Sequence, residues 1–477
     1  MPDTDIFQGD FSERDEQIQQ LLHVGECFDI IRRRFEIGGK PAVFYTIDGF
    51  LKGAVVEKVM EFFYSVKDTD MPEDFGGFLQ REIPYLDIMK LEDQEAFVKA
   101  VLSGMSCLLV EGYTQILALD LREYPSRSVE EPDKDKVLRG SRDGFIESLI
   151  PNIALIRRRI RDVNLIFSLE SVGRSSRTDI AICYMKGRVE EDVLKKIRER
   201  LKAIDVDSLT MNQESLAESL FKKGWLNPFP KVKYTERPDT TAACLLEGSI
   251  VILCDNSSSA MILPTSLFDI IEDANDYYFP PVTGTYLRLS RMAINVVAVF
   301  LTPVFILLMQ NPQWVPDAFA FIQIKDPMNI PPVVQLLILE VAIDGLRMAS
   351  VNTPSMLNTP LSIVAGIVFG DYTVNSGWFN SEIMLYMAFV AVANYTQSNM
   401  ELGYAIKFLR IQLLILTGIF GLWGFIAGTL VILITPFLNK TITGRNYMYP
   451  LLPFDGVQLM QRFFRISLHR YENIHYK

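Results

Sequence analysis

Ser355, Thr359, Ser362 and Gly366 recur at i, i+4, i+7 and i+11, which aligns them on one narrow face of a helix. Hydroxyls and bare backbone in such a stripe can hydrate a passing ion, and a small apolar side chain beside it, such as Val364, can close the path by dewetting. The same spacing equally suits close packing of two helices, because small residues let their backbones approach. Upstream, Glu340, Asp344 and Arg347 are separated by four and three residues in an otherwise apolar stretch, so they share one helical face. Ionisable groups inside a membrane segment are costly and face a bundle interior or a water-filled path. At a membrane surface the same charges would simply be solvated. A third constellation, Arg157-Arg158-Arg159, offers guanidinium forks for anionic lipid headgroups or for another subunit. Salt bridging within an acidic domain is its plainer reading.

Nothing in the chain points to catalysis. GxxxxGK[ST], GxGxxG, HExxH and GxSxG are all absent, and with them the usual phosphate, dinucleotide, zinc-protease and hydrolase geometries. The only histidines are His23, His469 and His475, and the cysteines, Cys27, Cys107, Cys183, Cys244 and Cys254, form no CxxC pair. No metal, cofactor or disulfide framework is expected, and the cysteines read as buried thiols in a reducing compartment.

The elements that must hold the polar stripe and the charged face are membrane helices. Residues 292–309 form an apolar run interrupted by Asn295, Thr302 and Pro303, and Arg288 and Arg291 just before it mark its cytoplasmic end. Segments 331–350, 360–374 and 383–396 are further candidates. Residues 411–438 carry no charge; as one straight helix they would reach about 42 Å, beyond the ~30 Å hydrocarbon core. Gly418, Gly421, Gly424 and Gly428 allow that run either to break into two passes or to tilt as one. The tail after Leu438 is mainly basic, with Lys440, Arg445, Arg462, Arg465, Arg470 and Lys477 against Asp455 and Glu472. A cytoplasmic tail favours six spans over five.

Charge divides the chain in the same way. From Thr285 onward 12 Lys and Arg accompany 9 Asp and Glu, leaving 35 basic and 49 acidic residues before it. That acidic portion, and the overall charge of −11, exclude a nucleic-acid partner, which needs clustered positive charge. The start of the chain has no apolar h-region, so the expectation is no cleavable signal peptide and a soluble portion on the cytoplasmic side. Within it, 107–119 and 248–263 read as strand pairs around turns, 42–47 as a strand, and 51–66, 93–104, 145–160 and 190–202 as helices. Residues 12–40 carry apolar positions at helical spacing. No internal repeat is visible. The expected fold is an α/β (or α+β) soluble region of two subdomains, followed by an α-helical polytopic membrane domain of 5–6 spans. The boundaries are 1–125 for the first subdomain, 126–142 for a charged linker, 143–285 for the second subdomain, 286–438 for the membrane domain and 439–477 for a cytoplasmic tail.

Gly144-Phe-Ile-Glu-Ser-Leu-Ile-Pro-Asn-Ile-Ala-Leu-Ile-Arg-Arg-Arg-Ile160 and Arg177-Thr-Asp-Ile-Ala-Ile-Cys-Tyr184 resemble the soluble signature of the A subunits of bacterial spore germinant receptors, the GerA family. Leu346-Arg347 and Ser362-Ile-Val-Ala-Gly-Ile-Val-Phe-Gly370 are similar to that family's membrane portion. The resemblance implies a protein of the endospore inner membrane with its N-terminal domain on the cytoplasmic, core side. It also implies a homo-oligomer, a pentamer, that contacts membrane lipid and other membrane proteins of the germination apparatus. In function it implies a subunit of an ion channel that releases ions and amplifies germination; the alternative is a non-conducting membrane scaffold that clusters germination proteins. The family's pore-lining helix would fall on 353–370, which favours the pore reading of Ser355, Thr359 and Ser362. Asn352-Thr-Pro-Ser-Met-Leu-Asn358 departs from the typical receptor stretch, so control by a nutrient is not implied.

Overall fold

The computed structural model describes residues 6–83, 86–125, 137, 139–221, 227–353, 359, 363, 366, 372–397 and 399–465. Most of the expected linker, 126–136 and 138, lies outside them, as does the end of the tail. The chain divides into two compact units, Met1–Lys223 with Val232–Pro264, and Gly224–Lys231 with Thr265–Lys477.

In the first unit, helix α1 (Phe11–Leu21) is held at its start by a capping box between Asp10 and Glu13, satisfying backbone donors that have no partner within the helix. The helical spacing read over 12–40 ends there. Ile30–Ile37 is a strand, β1, paired antiparallel with β2 (Lys40–Ile47). The reason is local: Gly38 and Gly39 take φ of 53° and 73°, the left-handed turn a tight hairpin needs and glycine tolerates. β3 (Ile88–Leu91), β4 (Ser106–Val110) and β5 (Ile116–Leu119) complete a sheet of order β1-β2-β4-β5-β3. Helix α2 (Gly53–Ser65) and helix α3 (Phe75–Glu82) supply Val59, Phe63, Phe75 and Leu79 to a core shared with Phe44, Leu108 and Leu117 of the strands. Helix α4 (Gln94–Leu102) contributes a further buried set around Phe97 and Val101.

A second sheet follows helix α5 (Leu149–Arg159). Its strands are β6 (Leu165–Val172), β7 (Thr178–Met185), β8 (Lys233–Thr235), β9 (Ile250–Cys254) and β10 (Ala260–Leu263), with helices α6 (Glu191–Lys202), α7 (Asn212–Leu220) and α8 (Pro238–Leu246) between them. The order is β6-β7-β9-β10-β8, so each strand occupies the place its counterpart holds in the first sheet. The unit therefore contains a structural repeat. Every strand pair in both sheets is antiparallel, which makes the class α+β.

The second unit is helical. Short helices α9 (Leu267–Ile271) and α10 (Asn275–Tyr278) precede α11 (Pro281–Gln310), α12 (Pro332–Asn352), α13 (Ser381–Tyr395), α14 (Met400–Leu438) and α15 (Gly456–Phe463). The unit begins at Thr265, earlier than the expected 286, because Glu272 and Asp276 form ion pairs with Arg288 of α11. Among the described residues α11 and α14 are long and apolar enough to cross a membrane, and α13 is a shorter apolar helix. α14 is interrupted at Gly421, with φ 58° and ψ −133°. A Cβ on Gly424 would come within 1.9 Å of the Leu416 carbonyl oxygen, and one on Gly428 within 2.6 Å of Leu413. The second arm therefore doubles back along the first, and glycine allows the close approach. The run is thus not one straight helix. Beyond it the chain returns to the start of α11, where Arg288 donates to the carbonyl oxygens of Gln461 and Arg462 at 2.9 and 3.2 Å.

Candidate functional site

Spacing brings the charged face of α12 to a matching face of α14. Glu340 and Asp344 are one turn apart on α12; Lys407 and Arg410 are three residues apart on α14. Arg410 Nε donates to Glu340 Oε1 at 2.7 Å, and Lys407 Nζ lies 3.3 Å from Glu340 Oε2. Lys407 also pairs with Asp344 and donates to the Glu340 carbonyl oxygen at 3.0 Å. Arg410 Nη1 reaches across to the Ala298 carbonyl oxygen of α11 at 3.1 Å. Three helices are thus tied by a cluster of two carboxylates and two cations.

Glu340, Lys407 and Arg410 are buried, while the Asp344 side chain keeps 34% of its exposure. Burying an unpaired charge costs several kcal/mol, and the pairing here offsets that cost without leaving net charge. Arg410 Nη2 is buried without a hydrogen-bond partner among the described residues, and on α11 so is Thr302 Oγ1. Arg347, expected on the same face, stays out of the cluster. Its guanidinium lies over the rings of Tyr404 and Tyr395, 5.0 and 5.8 Å from their centroids, a cation–π arrangement.

Of the small polar stripe, Thr359 and Gly366 are described; both are helical and exposed, as is Ile363 between them. Ser355, Ser362 and Val364 lie outside the described residues. No described atom comes within 4 Å of a Cβ built on Gly366.

The three arginines have separate fates. Arg157 is fully buried in the first unit. Its Nε and Nη2 donate to the two Asp29 carboxylate oxygens at 2.8 and 3.0 Å, its Nη2 also to the Leu165 carbonyl oxygen at 2.9 Å, and its guanidinium covers the Phe167 ring. The expectation of a lipid or intersubunit contact does not hold for Arg157, because all of its hydrogen-bonding faces are used internally. Arg158 lies over Tyr124, and Arg159 donates to Asp143 at 2.6 Å. Burial and the neighbouring Asp29 push the Cys27 thiol up to about 12, so it stays protonated within this joint.

The family model for the Bacillus/Clostridium GerA spore germination protein matches residues 16–474. This chain belongs to the GerA family. The GerA chain is 32% identical over 451 residues to stage V sporulation protein AF of Bacillus subtilis (strain 168), spanning 94% of this chain and 91% of that one. It is 27% identical over 94% of its length to the uncharacterized membrane protein YfkQ of the same organism, covering 88% of that protein. It is also 28% identical to spore germination protein A1 of B. subtilis, covering 78% of this chain and 77% of that one. The crystal structure of the N-terminal domain of the A subunit of the Bacillus megaterium spore germinant receptor GerK3 aligns with 53% of this chain and 94% of that chain, at 27% identity and a TM-score of 0.41.

Lys407 and Arg410 are the members of the GerA cluster that sequence reasoning missed. The charge-free run starts at 411, directly after Arg410, and a search for uninterrupted apolar residues stops short of them. The available signal was complementarity: cations at i, i+3 on one apolar helix match carboxylates at i, i+4 on another.

Proposed function

We propose that this GerA chain is a membrane subunit of an oligomeric ion channel acting in bacterial spore germination, releasing ions and so amplifying germination. The observation that carries this reading is the exposed helical face of Thr359 and Gly366. A hydroxyl and a bare backbone that the described residues leave uncovered suit the wall of a path formed between subunits. Five copies around such a path would make a closed ring.

The same reading takes six crossings. The start of α11 and the end of α15 meet through Arg288, so both lie on one side of the membrane and the number of passes between them is even. α11, α12, a pass through the segment that carries Thr359 and Gly366, α13 and the two arms of α14 account for six. The basic residues at this end favour the cytoplasmic side, which in a spore is the core, with the N-terminal domain on that side. The buried cluster of Glu340, Lys407 and Arg410 is then the internal brace that ties α11, α12 and α14 together.

The test is ion flux from vesicles reconstituted with the purified protein and, in parallel, with Ser362→Ala and Val364→Ala variants. Altered flux in either variant, with assembly unchanged, supports the channel. Unchanged flux with normal assembly removes the pore reading and leaves the non-conducting scaffold.

A further inference from the structure

The start of α11 fixes the depth of everything packed against it. Arg288 precedes the apolar run at Met292 by four residues, a rise of about 6 Å on a helix axis. The layer between hydrocarbon and water on each side of a bilayer is about 5–7 Å thick. Arg288 therefore lies at headgroup level whenever α11 crosses. Its guanidinium donates to the carbonyl oxygens of Gln461 and Arg462, in the last turn of α15, where a cation also complements the helix dipole.

Four further contacts fix α15 at that depth. Arg462 bridges Asp269 at 2.6 Å and Glu272 at 3.0 Å. The Arg465 amide donates to Thr285 Oγ1 at 3.1 Å, and the Phe463 ring meets Phe268. One side of the segment is thus taken up by the unit itself.

The other side is apolar and uncovered. Phe454 is 73% exposed, and Val457 and Met460 are each 58% exposed. Phe464 and, on α11, Tyr286 are exposed as well. Val457 and Met460 are three residues apart on α15, with Phe454 and Phe464 flanking it, so the group forms one face. Against water such a face has no physical support; against the boundary of headgroups and acyl chains it does. An amphipathic helix lying in the interface buries its apolar side about 5–10 Å into that boundary, the depth at which Arg288 holds α15.

We propose that residues 451–464 form an in-plane membrane anchor, seated on the lipid surface beside the start of α11 and binding acyl chains through Phe454, Val457, Met460 and Phe464. The occupant is lipid because the face continues directly from a helix that enters the bilayer. The anchor rests on α11 crossing the membrane and is independent of whether the protein conducts ions. It fixes the C-terminal segment in the plane of the membrane and braces Glu272 and Asp269 through Arg462.

The experiment is labelling of the full chain in vesicles of phosphatidylcholine and phosphatidylglycerol with a carbene-generating reagent confined to the acyl layer, read by mass spectrometry of peptides. The expected result is label in 451–464 as well as in 292–309. In a variant carrying Val457→Asp and Met460→Asp, label in 451–464 is lost while label in 292–309 is kept. Label in 292–309 without label in 451–464 of the unaltered chain overturns the anchor and leaves the crossing of α11 standing; a face covered by a second copy gives that outcome. Absence of label from both segments overturns the anchor and the membrane crossing together. The contrast in the unaltered chain decides the matter even where the double variant fails to accumulate.

Discussion

Replacing Glu340 with Gln removes one charge and almost no volume, so its effect reports the electrostatics of the cluster. Lys407 retains Asp344 as a partner. Arg410 does not: its Nε loses the ionised acceptor at 2.7 Å, and its remaining protein acceptor is the Ala298 carbonyl oxygen. Removing one partner of a buried ion pair costs about 3–5 kcal/mol, because the other charge stays buried and uncompensated. For a unit of this size, each kcal/mol lowers the midpoint of thermal unfolding by roughly 2–4 °C. The lower bound of the cost therefore gives a fall of about 6–12 °C. Asp344→Asn supplies the contrast. Its side chain is one-third exposed and Lys407 keeps Glu340, so the loss is that of a surface pair, about 1 kcal/mol or less. Combining Glu340→Gln with Arg410→Met removes the orphaned charge and recovers a large part of the loss. The assay is thermal unfolding of purified full-length variants in one detergent. Equal midpoints for Glu340→Gln and the unaltered chain would refute the reasoning, since Arg410 would then not be a buried cation dependent on Glu340.

Three other perturbations address other parts of the molecule. Arg157→Ala leaves Asp29 buried and unpaired and is expected to destabilise the first unit by about 3–5 kcal/mol, whereas Arg158→Ala, which loses only its position over Tyr124, costs about 1 kcal/mol or less; denaturant unfolding of the full chain compares them. Gly424→Ala places a methyl against the Leu416 carbonyl and is expected to lower the unfolding midpoint, whereas Gly345→Ala, with open space around it, leaves it nearly unchanged. Burial alone would raise the pKa of Asp15, but hydrogen bonds from Arg32 and Tyr45 and the charges of Arg32 and Arg34 outweigh it and hold the carboxyl below its ordinary value. Its contribution is therefore fully present above about pH 4 and is lost as pH falls through the lowered value. Asp15→Asn should lower stability at neutral pH and flatten the acid limb of the stability profile, which unfolding measured from pH 2 to pH 7 will test.

Much of this fold was legible because its signals are local. The turns at Glu111-Gly112 and Asp255-Asn256 punctuate short apolar runs, and both runs fold as antiparallel pairs. β1 was hidden because Arg32, Arg33 and Arg34 interrupt its alternation, and its identity comes from pairing with β2 across Gly38-Gly39. The repeat of strand order in the two sheets was invisible, since hydrogen-bonded neighbours such as β2 and β4 are distant in sequence and topology constrains burial without fixing residue identities. The charged face of α12 was legible as a spacing, but its partners on α14 depend on a helix contact across some seventy residues. Arg157 read as part of a basic cluster because adjacent residues look alike in sequence, whereas the helix turns one of the three into the interior and leaves its neighbours at the surface.

The central claim is that this GerA chain assembles around a path lined by the stripe at Thr359 and Gly366. The most direct measurement is the mass of the purified full-length protein in detergent by light scattering, with the detergent contribution subtracted. A closed ring of five copies is the predicted result. A monomer at every concentration measured would contradict it, because no path between subunits then exists.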